Sequence, residues 1–186
     1  MKNHNAIMVA IGFTQQPGID FNKMFAPVSR MDTVRIVLAI AAENKSHVHQ
    51  MVVKSIFLNG YLEDEVYVEQ PQGYEVPGQE HKVYRLKKAL YGLKQAHRAW
   101  YNWIDYYLIE NGFHRSESEP NLYTKVDEQG KMLVCLYVDD LIFTGDYGIA
   151  YFKTVMESEF EMTDLGLMKF FLGIEVQQSE RGIFIS

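Results

Sequence analysis

Two adjacent carboxylates, Asp139 and Asp140, stand between two apolar runs, Met132-Leu133-Val134-Cys135-Leu136-Tyr137-Val138 and Leu141-Ile142-Phe143-Thr144. An uninterrupted apolar run bounded by turn residues reads as a buried strand, and the second run as its antiparallel return. The chain is thereby constrained to a sheet with paired acids at the tip of an inner hairpin. Asp is common in tight turns, because its side chain bonds nearby backbone N–H groups. Two ionised acids at the mouth of an apolar hairpin are nevertheless costly unless solvent or a cation meets them. Rigidly held oxygen ligands at the end of a sheet are also what metal-dependent phosphoryl transfer requires.

With 186 residues, 47% of them hydrophobic, the chain can bury one sizeable core. Its one cysteine, Cys135, lies inside the apolar strand, which excludes a disulfide framework and fits a reducing, intracellular setting. No apolar run approaches membrane-spanning length, so no membrane partner is expected. The net charge of −6 argues against generic nucleic-acid binding. The charges are unevenly spread, however. Lys82, Arg85, Lys87, Lys88, Lys94 and Arg98 form an acid-free stretch beside Tyr84, Tyr91, Trp100 and Tyr101, while acids gather at 63–80 and 157–164. Basic residues interleaved with aromatics suit a phosphate backbone, and a solvated helix face explains the same charges. The histidines have no zinc-ligand spacing with cysteine.

Along the chain, residues 1–31 read as irregular, with turns at Gln16-Pro17-Gly18 and Ala26-Pro27. Asp32 is the expected cap of a helix reaching Asn44, with Val34, Val37, Leu38, Ala41 and Ala42 at helical spacing. Strands are expected at Val48–Val53 and Glu65–Glu69, with an extended segment at Lys82–Leu86. A second helix runs from Ala96 to Asn111, its stripe formed by Trp100, Trp103, Ile104, Tyr107 and Leu108, and Gly112 stops it. Leu122–Val126, a Glu128-Gln129-Gly130 turn and the 132–138 run form a hairpin. Tyr151–Phe160 is an amphipathic helix, and Phe170–Val176 with Gly182–Ile185 a closing strand pair. Helices mixed with antiparallel strands, without a regular βαβ rhythm, predict an α+β fold in which helices back an antiparallel sheet.

Six blocks occur in order: Gly12-Phe13-Thr14-Gln15-Gln16-Pro17-Gly18-Ile19-Asp20, Phe25-Ala26-Pro27-Val28, Phe57-Leu58-Asn59-Gly60, Leu90-Tyr91-Gly92-Leu93-Lys94-Gln95-Ala96, Tyr137-Val138-Asp139-Asp140-Leu141 and Phe171-Leu172-Gly173-Ile174-Glu175-Val176. Together they resemble the reverse transcriptase domain of copia-type LTR retrotransposon Pol polyproteins, from about residue 6 to the C-terminus. The resemblance implies a right-hand polymerase represented by fingers (about 1–48 and 60–100) and palm (about 49–59 and 101–186), with thumb and RNase H absent. It implies RNA-directed DNA polymerase activity on dNTPs and a primer on an RNA or DNA template. Two Mg²⁺ or Mn²⁺ ions would assist attack of a primer 3′-hydroxyl on the α-phosphate. Other Pol parts, integrase and RNase H, would be partners, and a cytoplasmic particle and the nucleus the expected locations.

Residue by residue, the resemblance makes Asp139 a bridging metal ligand, Asp140 its supporting neighbour, and the backbone carbonyl of Val53 a further ligand. Phe57 becomes a sugar gate, and Tyr91, Gly92 and Gln95 join it at the nucleotide. Lys87, Lys88, Lys94 and Arg98 would hold nucleic acid, with Phe171, Leu172 and Gly173 gripping the primer. One position departs decisively. Where the family reads Gln-Met-Asp-Val-Lys, this chain reads Gln50-Met51-Val52-Val53-Lys54, so the second bridging carboxylate is a valine. The finger segment Asn5-Ala6-Ile7-Met8-Val9-Ala10-Ile11-Gly12 also lacks three of the family's cations, Ile56 replaces a small alanine, and His97 replaces a proline. Weakened ion binding and impaired or lost activity are expected; a non-catalytic remnant that binds nucleic acid or protein is the alternative. All of this requires residue 52 to adjoin the 139–140 turn.

Overall fold

The computed structural model describes residues 8–128 and 130–186. In chain order the elements are α1 (Met31–Glu43), β1 (Val48–Val53), β2 (Tyr67–Glu69), β3 (Val83–Arg85), α2 (Ala96–Glu110), β4 (His114–Arg115), β5 (Leu122–Asp127), β6 (Gly130–Tyr137), β7 (Asp140–Gly145), α3 (Ile149–Glu159), β8 (Met162–Leu167), β9 (Phe170–Phe171), β10 (Ile174–Ser179) and β11 (Gly182–Ile185), with short 3₁₀ turns at Gly12–Thr14 and Ile56–Asn59. The chain is a mixture of helices and antiparallel sheets, as the α+β expectation requires. It divides into two compact units: the residues through Ala26 with Ile56–Ile104, and Pro27–Ser55 with Asp105–Ser186. The divisions between these units fall after Ala26, Ser55 and Ile104. The physical reason lies in α1, whose apolar stripe is part of the second unit's core.

That core is built on a six-stranded sheet in the order β4-β5-β6-β7-β1-β8. Both β6 and β7 are inner strands buried on both faces, which is why their sequences run apolar without alternation. On one face Val48, Cys135 and Ile142 pack with Val34, Val37, Leu38 and Ala41 of α1 and with Met168, Phe171 and Val176. On the other, Phe143 meets Phe152 of α3 edge-on, with ring centroids 4.9 Å apart. A small sheet in the order β11-β10-β9 adjoins β1 through Gln178. Its side chain accepts from Val48 N at 2.8 Å and donates to the carbonyls of Val48 and Met168, both at 2.9 Å.

The first unit holds the two-stranded β2–β3 sheet and a core of Val66, Ala89, Leu93, Ala96 and Ala99. Glycine is required where two backbones cross: a Cβ on Gly12 would overlap the carbonyl of Gly92, which itself has φ +91°.

Two expectations need correction. Asp32 lies inside the first turn of α1 and pairs with Arg35 at 3.3 Å; the N-cap position is Arg30, with no side-chain cap. A first-turn acid still favours the helix through its dipole. Phe170–Val176 is not one strand, because Leu172 (φ 46°) and Gly173 (φ 84°) turn the chain between β9 and β10. Edge strand β8, whose Met-Thr-Asp-Leu-Gly-Leu sequence carries no strand periodicity, went unforeseen, as did the short β4. In the 128–130 turn, Gln129 lies outside the described residues.

Candidate functional site

The hairpin between β6 and β7 closes Tyr137 directly on Asp140, leaving Val138 and Asp139 as its two central residues. Val138 has φ 55° and Asp139 does not share a positive φ, the sign pattern of a type II′ turn that normally uses glycine at its first position. A β-branched residue there is strained, and such strain persists only where flanking structure over-determines it. The long ladders of β6 and β7 supply that constraint. So does Tyr137, whose ring stands edge-on to Phe171 at 5.3 Å.

The turn lies beside β1. Val52 pairs with Asp140 in the β1–β7 ladder, and Val53 N donates to the carbonyl of Asp139 at 2.9 Å. Residue 52 therefore adjoins both acids, the juxtaposition the sequence reading requires. The side chain at 52, half-buried, is an isopropyl group with no oxygen to offer. Sequence reasoning overlooked Gln50, which is 7% exposed and donates from Nε2 to Asp140 Oδ1 at 2.8 Å. Its signal was available: Gln50 lies two residues before Val52 and so on the same strand face. Burial raises the pKa of Asp140 above the ordinary carboxylate range; the Gln50 hydrogen bond opposes this and the charge of Asp139 reinforces it.

Two octahedral divalent ions need many oxygen donors, including carboxylates that bridge them from more than one strand. The chain offers two neighbouring acids from one turn, one already hydrogen-bonded to Gln50. No cluster of three metal-ligating acid, His or Cys side chains occurs among the described residues. The donors present do not fit a bridged pair of ions.

The other candidate residues lie in the first unit. Phe57 is half-buried between Tyr91 and His97, with ring centroids 4.9 and 4.5 Å away. Ile56 is buried. Tyr91 is tied to residues 9–10, where Ala10 N donates to its carbonyl at 2.7 Å; residues 5–7 of the expected finger segment lie outside the described residues. Gln95 is only 3% exposed and works inside the protein: Oε1 accepts from Gln15 Nε2 at 3.0 Å, and Nε2 donates to the Asp20 carbonyl at 3.1 Å. Gln15 in turn accepts from Lys94 N at 2.9 Å. Lys87, Lys88 and Lys94 are exposed, with Lys88 over the Tyr61 ring and Lys94 over Phe21. Arg98 is half-buried and donates to the Phe25 carbonyl at 3.3 Å. In the second unit Phe171 is core, whereas Leu172 and Gly173 are exposed at the β9–β10 turn.

The structure thus sets a strained, acid-bearing hairpin beside the inner strand β1 of an antiparallel sheet. Comparison with known proteins gives the lineage. The family described as reverse transcriptase (RNA-dependent DNA polymerase) matches residues 1–186. The chain is 40% identical to the retrovirus-related Pol polyprotein from transposon TNT 1-94 of Nicotiana tabacum, over 98% of this chain and 14% of that protein. It is 37% identical to the Pol polyprotein from transposon RE1 of Arabidopsis thaliana, over 100% of this chain and 13% of that protein, and 35% identical to that from transposon RE2 over the same shares. The chain belongs to the reverse transcriptase family, in its copia-type retrotransposon Pol branch. It spans 13–14% of the length of these relatives. No solved structure matches it.

Proposed function

We propose that the chain is an RNA-directed DNA polymerase domain by descent, built to extend a primer with dNTPs by two-metal phosphoryl transfer, and that this copy has lost most of that activity. In this reading the unit containing β1 and β5–β8 is the palm, and the unit containing β2 and β3 belongs to the fingers. Asp139 and Asp140 are the surviving catalytic acids, with the Val53 carbonyl beside them. Phe57, Tyr91 and Gly92 serve the nucleotide, with Gln95 bracing their loop. Lys87, Lys88, Lys94, Arg98 and the 171–173 turn serve the primer–template. The rest of a Pol polyprotein, integrase and RNase H included, would be its partners, in a cytoplasmic particle and the nucleus.

One observation carries the loss: the ladder sets Val52 opposite Asp140, where a shared ligand would have to come from β1. If that ligand supplied about 4–8 kcal/mol of transition-state stabilisation, its absence costs roughly 10³–10⁶ in rate. The test is primer extension on an RNA template with Mg²⁺ or Mn²⁺, comparing the unaltered chain with Val52→Asp. The expected result is little or no incorporation by the first and a gain of about 10³ or more by the second. Robust extension by the unaltered chain would refute the loss.

The exposed Lys87, Lys88 and Lys94 favour one other reading, a remnant that holds nucleic acid without turnover. Duplex binding that weakens steeply with salt, unchanged by Val52→Asp and without extension by either chain, would decide for it.

A further inference from the structure

We propose that His49 is an acid-sensitive latch in the second unit: as a neutral ring it closes β1 against β8 and α3, and as an imidazolium it releases them. The inference goes beyond the polymerase reading and does not depend on it. His49 lies on the α3 side of the sheet with Phe143, whereas Val52 and Asp140 share the other face.

The surroundings of the ring set the cost of a proton. His49 stacks on Phe143 of β7, with ring centroids 5.6 Å apart and planes inclined by 22°, and Phe143 in turn meets Phe152 of α3. Its Nδ1 is buried and has no hydrogen-bond partner. A neutral imidazole can leave its unprotonated nitrogen there. An imidazolium carries N–H on both nitrogens, and a buried charged donor without an acceptor is costly. The charged groups facing the ring are Lys153 from α3, Asp164 from β8 and His47 from β1 itself, while β7 presents the apolar Phe143. Asp164 is the acid of this group, and both its oxygens are engaged. Oδ2 accepts from Lys153 Nζ and Oδ1 from Gly166 N, each at 2.8 Å. A proton on His49 therefore arrives near an ammonium, with the neighbouring carboxylate already committed.

The direction of the response follows. Burial, and after it the Lys153 charge, lowers the pKa of His49 below the ordinary imidazole value; Asp164 opposes this and His47 adds to it. The opened chain thus takes up a proton that the closed one resists. The closed form keeps its full advantage above about pH 6.5 and loses it as the pH falls below that value. Asp164 stays ionised in that window. Burial works against its charge, but the hydrogen bonds from Lys153 and Gly166 outweigh burial and hold its pKa below the ordinary carboxylate range. Release falls on β8 rather than β7. β7 is an inner strand with a buried centre, whereas β8 is an edge strand with mostly exposed side chains, and its ladder with β1 is irregular between Gln50 and Met51. Once freed, β8 leaves the backbone groups of β1 open along that side.

The experiment follows amide hydrogen exchange of the full chain at about pH 7.5 and about pH 5.5, corrected for intrinsic rates. His49→Phe, His49→Gln and His47→Gln are compared with it, and the His49 ring is titrated by NMR. In the unaltered chain and in His47→Gln, protection of Met162–Leu167 and Ile149–Glu159 should fall about threefold or more at the lower pH, while β6 and β7 keep theirs. The ring should titrate below about pH 6.5. His49→Phe, which keeps an aromatic ring on Phe143, should lose the pH response. If His49→Phe lacks a cooperative melt, His49→Gln decides: it is neutral throughout, and the same insensitivity is expected. An undiminished pH response in the His49 variants overturns the latch. So does a loss of protection spread evenly over the sheet, or a ring that titrates at or above the ordinary value.

Discussion

The two units are held by different physics. In the second, the inner stretches 132–136 and 141–143 of β6 and β7 are wholly apolar, and Phe143, Ile142 and Leu141 are fully buried. In the first, the sheet has two short strands, and Phe13 (86% exposed), Phe25, Ile19 and Tyr74 lie open. Its loops are fastened by carboxamides. Gln70 donates to the carbonyls of Gln79 and Lys82 and accepts from Val76 N, while Gln15 and Gln95 tie the 91–95 loop to residues 15–20. One unit draws its stability from burial, which tolerates drift in polar residues. The other depends on individual fittings that a single substitution removes. In the catalytic reading, this is how a site can lose its chemistry at Val52 while the sheet around it persists.

The largest expected effect tests that contrast directly. Phe143→Ala empties a fully buried site between His49 and Phe152 and should cost about 3–5 kcal/mol in urea unfolding. Phe13→Ser, at an 86% exposed position, should stay within about 0.5 kcal/mol. Comparable losses from both would end the distinction between the units.

A smaller effect probes a polar fitting inside the unit otherwise governed by burial. Gln178→Leu keeps the side-chain volume but strips partners from Val48 N, Val48 O and Met168 O. About 2–3 kcal/mol should be lost, because Val48 N and Met168 O lose this partner near the core, while Val48 O still accepts from Met168 N at 2.9 Å. Hydrogen exchange should show the loss concentrated at β1 and β10. An exchange pattern unchanged there would mean that the apolar contacts alone hold the small sheet.

The same division decides what could be read from the sequence. Burial writes its signal as a helical period or as an unbroken apolar run, so α1, α2, α3 and the β6–β7 hairpin are legible within a residue or two. The acid pair was legible because it interrupts an apolar run. Residue 52 was legible only against a family pattern, since a valine in a strand is otherwise unremarkable. Polar fittings leave no period. Gln15 and Gln178 act through partners that lie 80 and 130 residues away in the chain, and nothing local distinguishes them from solvated glutamines. β8 was missed for a related reason: as an edge strand its side chains are mostly exposed, so its residues need not alternate. Gln95, a motif residue expected at the nucleotide, has its amide engaged within its own unit by Gln15 and the Asp20 carbonyl.

The smallest effect uses the one thiol as a reporter of the burial-driven unit. Cys135 is fully buried, with Sγ 3.2 Å from Ser29 Oγ. Burial pushes its pKa up to about 11, with the Ser29 contact opposing and Glu119 adding to the rise. The folded chain thus keeps the thiol proton at pH values where the unfolded chain has released it. The associated stability is complete below the ordinary thiol range and is lost as the pH climbs through that range towards about 11. Unfolding free energy should therefore fall more steeply between these limits for the unaltered chain than for Cys135→Ala, once the constant packing cost of that substitution is subtracted. Alkylation by iodoacetamide near neutral pH should likewise proceed only as fast as the second unit opens, and accelerate in Phe143→Ala, which raises the population of the opened state. Fast alkylation of the native chain, or identical pH slopes, would show that the sheet around residue 135 opens without the cooperative cost that its burial implies.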